Sequence, residues 1–203
     1  MLAKEEDNKR QEIQEDVGIQ GDLFYSNPAT RFIVILSEIT MPIAFSFTLS
    51  YMAMCQKNND PIYLMLNSIG GQLSAMSHIV NIIGAYDVPL ITIASGNVSS
   101  SAYYIFLHGK RRYSFPYTQF LSHTLQFSGW IDDNLRSLKS NYDAYINVWE
   151  SKLQNIERRV FKKNKYPEFC EKYRSKDLFF DVETAHKYGV VTDTITKIGE
   201  VFK

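Results

Sequence analysis

Short apolar runs alternate with amphipathic stretches and turn clusters through the first half of the chain. Phe32–Leu36 (FIVIL) is β-branched, apolar and short, and predicts a buried strand. Ile43–Gln56 is apolar at helical length, with Pro42 suited to a first helical turn. After the turn cluster Lys57-Asn58-Asn59-Asp60-Pro61, Ile62–Leu66 (IYLML) predicts a second strand. Ser68-Ile69-Gly70-Gly71 reads as a turn. A helix over about Leu73–Tyr86 follows, with Met76, Ile79, Val80 and Ile83 at helical spacing. Asp87-Val88-Pro89 breaks it, and Leu90–Ala94 (LITIA) predicts a third strand that bends at Gly96-Asn97 into a serine-rich helix ending near His108, with Gly109 as its C-cap. Arg112–Phe115 and Gln119–Ser122 are further strand candidates. Residues 131–163 carry the i, i+3/4, i+7 apolar ladder of a long amphipathic helix, and Asp181–Tyr188 reads as a short helix stopped by Gly189. Strands alternating with helices in this way predict βαβ units, hence an α/β fold around a parallel sheet with right-handed crossovers.

Charge sharpens this picture. Nine charges crowd residues 4–16, only six lie within 17–109, and 29 fill 110–203. The first half therefore reads as core or interface, the second as surface, and residues 1–18 as a charged tail. Two uncharged windows, 39–56 and 88–109, raise the membrane question, but Pro42, Thr48, Pro89, Gly96 and three consecutive serines interrupt them. Neither is the run of about 20 apolar residues that a span needs. They suit elements covered on both faces. At 203 residues, 45% hydrophobic and 22% charged, the chain is of ordinary globular composition and long enough to bury a core without disulfide or metal staples. A net charge of zero gives no global attraction to nucleic acid or an anionic membrane. Cys55 and Cys170 have no metal-ligand spacing and fit a reducing compartment, and MLAKEEDNKR has no apolar stretch for a leader peptide.

Ligand sites in parallel sheets lie where strands end and turns to helices begin. Two such turns carry chemistry. At the one after Gly96, Ser99, Ser100 or Ser101 stands at a helix N-terminus, where backbone N–H groups are unpaired. A serine there is either a nucleophile with an oxyanion site beside it or simply an N-cap. The other turn holds Gly70-Gly71, which lets backbone approach a ligand or merely turns tightly. A nucleophilic serine needs a base and an orienting acid. Of the four histidines, His78, His108 and His186 fall in or at the end of predicted helices. His123 ends the strand Phe120-Leu121-Ser122-His123 where a loop begins, and is the best base candidate. Asp177, ahead of the apolar run Leu178-Phe179-Phe180, is one of many acids.

Taken together, LNSIGGQLSAM (66–76), ASGNVSSSAYY (94–104), FLSH (120–123) and KDLFFDVETAHKYGVV (176–191) resemble, in collinear order, the proteolytic subunit of the caseinolytic (Clp) protease family. The resemblance covers about residues 22–200. It places the family's nucleophile on Ser100, its histidine on His123 and its acid on Asp177, twelve residues before Gly189. It places the oxyanion N–H groups on Gly70 and Ser101, and a substrate-pairing backbone at Gly71. The implied fold is a ClpP/crotonase-like head of repeated ββα units with a mostly parallel sheet, plus a long protruding handle helix. The implied boundaries are a tail over 1–18, a head over 19–125 and 171–203, and a handle over 126–170. The implied activity is serine endopeptidase action on unfolded proteins and peptides inside stacked heptameric rings of a homo-oligomer. A separate AAA+ unfoldase ATPase is the implied partner, and the cytoplasm the implied location. No cofactor, metal, nucleic acid or membrane enters.

The chain departs from the family pattern at several places. Ile69 replaces a proline, Ser101 a methionine and Ala102 a glycine. Thr124-Leu125 replace Gln-Pro, and the glycine-rich strand after the histidine keeps only Gly129. Rival readings are a catalytically impaired ring subunit, a phage-type processing protease of the same superfamily, and a crotonase-type acyl-CoA enzyme.

Overall fold

The computed structural model describes residues 18–19, 23–123, 135–174 and 178–202. In chain order the elements are β1 (Gly18–Ile19), β2 (Phe24–Asn27), β3 (Phe32–Ile35), α1 (Met41–Lys57), β4 (Ile62–Ser68), α2 (Leu73–Gly84), β5 (Leu90–Ser99) and α3 (Ser101–Phe106). Then come β6 (Arg111–Ser114), β7 (Gln119–Ser122), α4 (Leu135–Val160), α5 (Tyr166–Phe169) with a π-helical turn (Cys170–Arg174), β8 (Leu178–Asp181), α6 (Val182–Tyr188), β9 (Asp193–Thr194) and a 3-10 turn (Ile198–Phe202).

One sheet runs in the order β1-β2-β3-β4-β5-β6-β9. β1, β2 and β3 are antiparallel neighbours; from β3 to β9 every pairing is parallel. Apolar side chains at alternate positions divide the two faces. Ile33, Ile35, Leu64 and Leu66 are fully buried against the helices. α1 adds Ala44, Phe47, Tyr51 and Met54, and α2 adds Ala75, Met76 and Ile79. On the opposite face Ile91, Ile93, Tyr113, Ile195 and Val201 form a smaller core with Phe32, Tyr63 and Met65. Each fully buried aliphatic or aromatic side chain here contributes roughly 1.5–3 kcal/mol.

All six residues of α3 are buried. A helix this short is unstable alone, so packing must hold it. Phe106 contacts Phe120 of β7 at 5.4 Å, Phe120 stacks on Phe180 of β8 at 5.6 Å, and Phe180 meets Phe169 of α5 at 5.4 Å. This aromatic chain fastens the β7–β8 hairpin and the helical segment behind it to α3. A second fastening is Arg31, buried in the β2–β3 turn. Its guanidinium donates to the carbonyls of Met54 (2.6 Å), Asp60 (2.7 Å) and Asn58 (3.3 Å), closing the C-terminus of α1.

Two local expectations differ from what is observed. β5 does not end at Gly96: it runs on to Ser99, and the bend is an irregularity in its pairing with β4 between Leu66 and Ser68. Gly109 is not a left-handed cap, since α3 closes through Leu107 in right-handed geometry. A side chain at Gly109 would instead overlap the hydroxyl of Thr92. Gly189 does cap α6 as expected, at φ 87°, ψ 10°, and Asp181 accepts the N–H of Thr184 at its start. The long helix is present as Leu135–Val160. Its expected beginning at 131–134, the tail to residue 17, and Gly129 lie outside the described residues.

Candidate active site

β5 is ten residues long and changes partner along its length. Ile91–Ala94 pair with β6, whereas Asn97–Ser99 pair with β7. The sheet thus branches at the end of β5, and β7 continues it into an antiparallel pairing with β8. Gly96 makes the change possible: it adopts φ 82°, close against the side chain of Asn67, whose Oδ1 accepts the N–H of Asn97 at 2.9 Å. Without such a branch, a parallel strand would bury Ser100 under its neighbour. With it, the strand-to-helix turn opens at an edge.

Ser100 occupies that turn. Its N–H donates to the carbonyl of Leu121 at 2.9 Å, which ties the turn to β7. Its backbone sits at φ 54°, ψ −125°, a conformation that costs a non-glycine residue about 1–3 kcal/mol. Although Ser100 stands at the N-cap position of α3, its hydroxyl makes no capping hydrogen bond. The cap explanation for this serine therefore fails, and the strain is left holding a half-buried hydroxyl with no hydrogen bond among the described residues.

Gly70 lies directly against this turn. It adopts φ 99°, and a Cβ placed on it would sit 2.6 Å from Ser100 Cβ, 2.7 Å from Ser99 O and 3.0 Å from Ser101 N. Only glycine brings the two turns this close. The N–H of Ser101 enters no hydrogen bond among the described residues, and the N–H of Gly70 donates to Ser68 Oγ at 3.1 Å. Gly71 forms a parallel bridge with Ile39: Ile39 N–H donates to Gly70 O and Gln72 N–H to Ile39 O, both at 2.8 Å. That bridge turns the amide and carbonyl of Gly71 the other way, where no backbone hydrogen bond among the described residues uses them, and Gly71 is exposed.

His123 is half-buried and follows β7 directly, two residues beyond the carbonyl that holds the Ser100 amide. Asp177 lies outside the described residues; the next residue in the chain, Leu178, pairs with Ser122. The structure therefore brings Gly70, Ser100, Ser101 and the end of β7 together. The other histidines are elsewhere. His78 Nε2 lies 3.0 Å from the hydroxyl of Thr48, and His186 is exposed on α6. His108 Nδ1 lies 2.8 Å from the Tyr104 carbonyl, and burial pushes its pKa down.

Two polar groups behind the site escaped the sequence reading. Ser68 holds the Gly70 amide, and Glu157 of α4 is completely buried against Ser122. Glu157 had a signal: it falls four residues after Leu153 and three before Val160, on the apolar stripe of its helix.

Comparison with known proteins gives the family and the fold. The family model for Clp protease matches residues 20–198. The chain belongs to the Clp protease family. The ATP-dependent Clp protease proteolytic subunit 2 of Pseudomonas aeruginosa is 30% identical over 148 residues, covering 71% of this chain and 70% of the relative. The subunit 2 of Borreliella burgdorferi is 26% identical over 170 residues, covering 82% and 83%. In fold, a mutant ClpP1 from Listeria monocytogenes superposes with a TM-score of 0.74 at 21% identity, over 85% of this chain and 95% of that one. This Clp-family subunit thus has the α/β, mostly parallel fold expected for it and is a protease of the hydrolase class. No helix among the described residues is long and apolar enough to cross a membrane.

Proposed function

We propose that this protein is a serine endopeptidase subunit acting by a Ser-His-Asp mechanism. The observation that carries the proposal is the Ser100 turn: a strained serine whose hydroxyl is not spent on capping, pressed against Gly70 and beside the unused N–H of Ser101. Ser100 Oγ attacks the peptide carbonyl. His123 takes its proton and returns it to the leaving amine. Asp177 fixes the imidazole tautomer and stabilises its cation. The developing oxyanion is held by the N–H groups of Ser101 and Gly70, the latter exchanging Ser68 Oγ for the oxyanion. Removing one such donor costs about 3–4 kcal/mol in other oxyanion holes. The unused amide and carbonyl of Gly71 receive the substrate as an added strand, so recognition rests on its backbone rather than its side chains.

The same reading makes the subunit part of a self-compartmentalised homo-oligomer of stacked heptameric rings in the cytoplasm, fed by an AAA+ unfoldase. It rests on the relatives' names, which describe ATP-dependent proteolytic subunits, and on an apolar stripe on α1. Met41, Phe45 and Leu49, four residues apart, are 45%, 61% and 50% exposed in the single chain, which fits a surface covered by a neighbour. A second reading, an assembled but catalytically impaired subunit, is favoured only by Ser68 occupying the Gly70 amide. Cleavage of an unstructured fluorogenic peptide by wild type and by Ser100→Ala, with sedimentation of the same samples, separates the two. The proposal expects large assemblies from both proteins and cleavage only by wild type. Equal rates from both would refute it, and assemblies without cleavage would leave the impaired subunit.

A further inference from the structure

Glu157 is the one acidic side chain among the described residues that is buried, with 0% of its surface exposed. A carboxylate taken out of water is costly unless its oxygens receive good hydrogen bonds. Glu157 receives them from hydroxyls: Ser122 Oγ donates to Oε1 at 2.8 Å and Tyr166 OH to Oε2 at 2.9 Å. The Tyr104 hydroxyl of α3 lies 3.4 Å from the same Ser122 Oγ. One side chain thus joins three segments: α4, the start of α5, and the end of β7.

We infer that Glu157 is a positioning residue for the proposed hydrolysis, acting through Ser122 on His123; this rests on the serine-peptidase reading above. Successive strand side chains point to opposite faces. Ser122, 3% exposed, points into the core toward Glu157, and the strand's alternation, carried one residue past its end, puts His123 on the other side. The same short strand carries Leu121, whose carbonyl holds the strained amide of Ser100. Nucleophile and base are therefore both referenced to a four-residue strand. Apolar contacts at Phe120 resist its moving off the core but leave it free to slide or twist along its axis. A directional hydrogen bond from Ser122 to a buried carboxylate restrains that motion. A leucine at 157 would fill the same space and lose the restraint.

The test uses a fluorophosphonate that acylates an activated serine, which reads the site without a partner ATPase. Inactivation is followed over a range of probe concentrations, with wild type, Glu157→Gln, Ser122→Ala, the double variant and Ser100→Ala. Glu157→Gln keeps the shape but replaces one acceptor oxygen with a donor. The maximal labelling rate at Ser100 is expected to fall about tenfold, below the hundredfold that a displacement of about 1 Å brings. The probe concentration for half-maximal rate and the assembly size stay as in wild type, a split that a merely structural role would not give. Ser122→Ala should fall similarly, and the double variant no further than the worse single, because both break one connection. Wild-type labelling by Glu157→Gln, or independent losses that multiply in the double variant, would overturn the inference. Should Glu157→Gln fail to assemble, Ser122→Ala decides: a wild-type rate there refutes it. Labelling that survives Ser100→Ala refutes the serine-peptidase reading itself, an outcome distinct from failure at Glu157 alone.

Discussion

Replacing Gly70 by alanine separates the close approach of the two turns from every other feature of the fold. Two costs add. An L-residue at φ 99° stores about 1–3 kcal/mol of backbone strain. The new Cβ also meets Ser99 O at 2.7 Å and Ser101 N at 3.0 Å, both backbone atoms that cannot swing aside as a flexible side chain would. Overpacking of this kind costs about 1–3 kcal/mol. The expected loss of stability is thus about 2–6 kcal/mol. For a chain of 203 residues, at about 2–4 °C per kcal/mol, this is a fall in Tm of roughly 4–24 °C. The chain relieves the collision by moving the Ser100 turn, so kcat for peptide cleavage should fall about 10²–10³-fold, the scale of losing an oxyanion donor. Calorimetry and cleavage kinetics on one preparation measure both. Gly84→Ala is the control. Gly84 is exposed in α2 with no atom within 4 Å of a built Cβ, so alanine there should stabilise by up to ~1 kcal/mol and leave kcat unchanged. Gly70→Ala with wild-type Tm and wild-type kcat would refute the account of the turn.

Three further outcomes concern the scaffold. Arg31→Ala removes the donors that close α1 onto the β2–β3 turn; urea unfolding should show a loss of about 2–4 kcal/mol, and a change under ~0.5 kcal/mol would contradict the assignment. Asp181→Ala removes the N-cap of α6, which accepts the Thr184 N–H at 2.8 Å, and should cost ~1 kcal/mol by the same measurement. Glu168 is held down to a pKa of about 2 by hydrogen bonds from Lys165, Lys187 and Tyr188. A depressed carboxylate contributes stability that is complete above the usual carboxylate range and lost as pH falls toward about 2. Urea midpoints below pH 5 should therefore decline less steeply in Glu168→Gln than in wild type, and the difference should shrink in high salt because the group is exposed; identical slopes would contradict it.

Much of the frame was legible because periodicity reports burial directly. FIVIL, IYLML and the 73–86 segment became β3, β4 and α2 with small shifts at their ends, since each carries its own apolar pattern. What stayed hidden depends on contacts distant in the chain. β5 continues through Gly96 because Asn67 of the neighbouring strand accepts the Asn97 amide, a partner no local window contains. β2 was not foreseen: Phe24–Asn27 is short, and becomes a strand through its antiparallel pairing with β1 and β3. In the site, the residue classes were readable, but the choice of Ser100 among three serines rested on the resemblance. Its strained backbone and the fit of Gly70 against it are tertiary facts. Glu157 looked like one more charge on a solvated helix, because its acceptors' partners lie on β7 and α5.

The central claim is that the hydroxyl at position 100 is a nucleophile and not a helix cap. The most direct measurement is treatment of the intact assembly with a fluorophosphonate, followed by proteolysis and mass spectrometry of the modified peptide. The account predicts one stoichiometric adduct on Ser100, absent from Ser100→Ala and strongly slowed in His123→Ala. An adduct on Ser99 or Ser101, or none on correctly assembled protein, would contradict it.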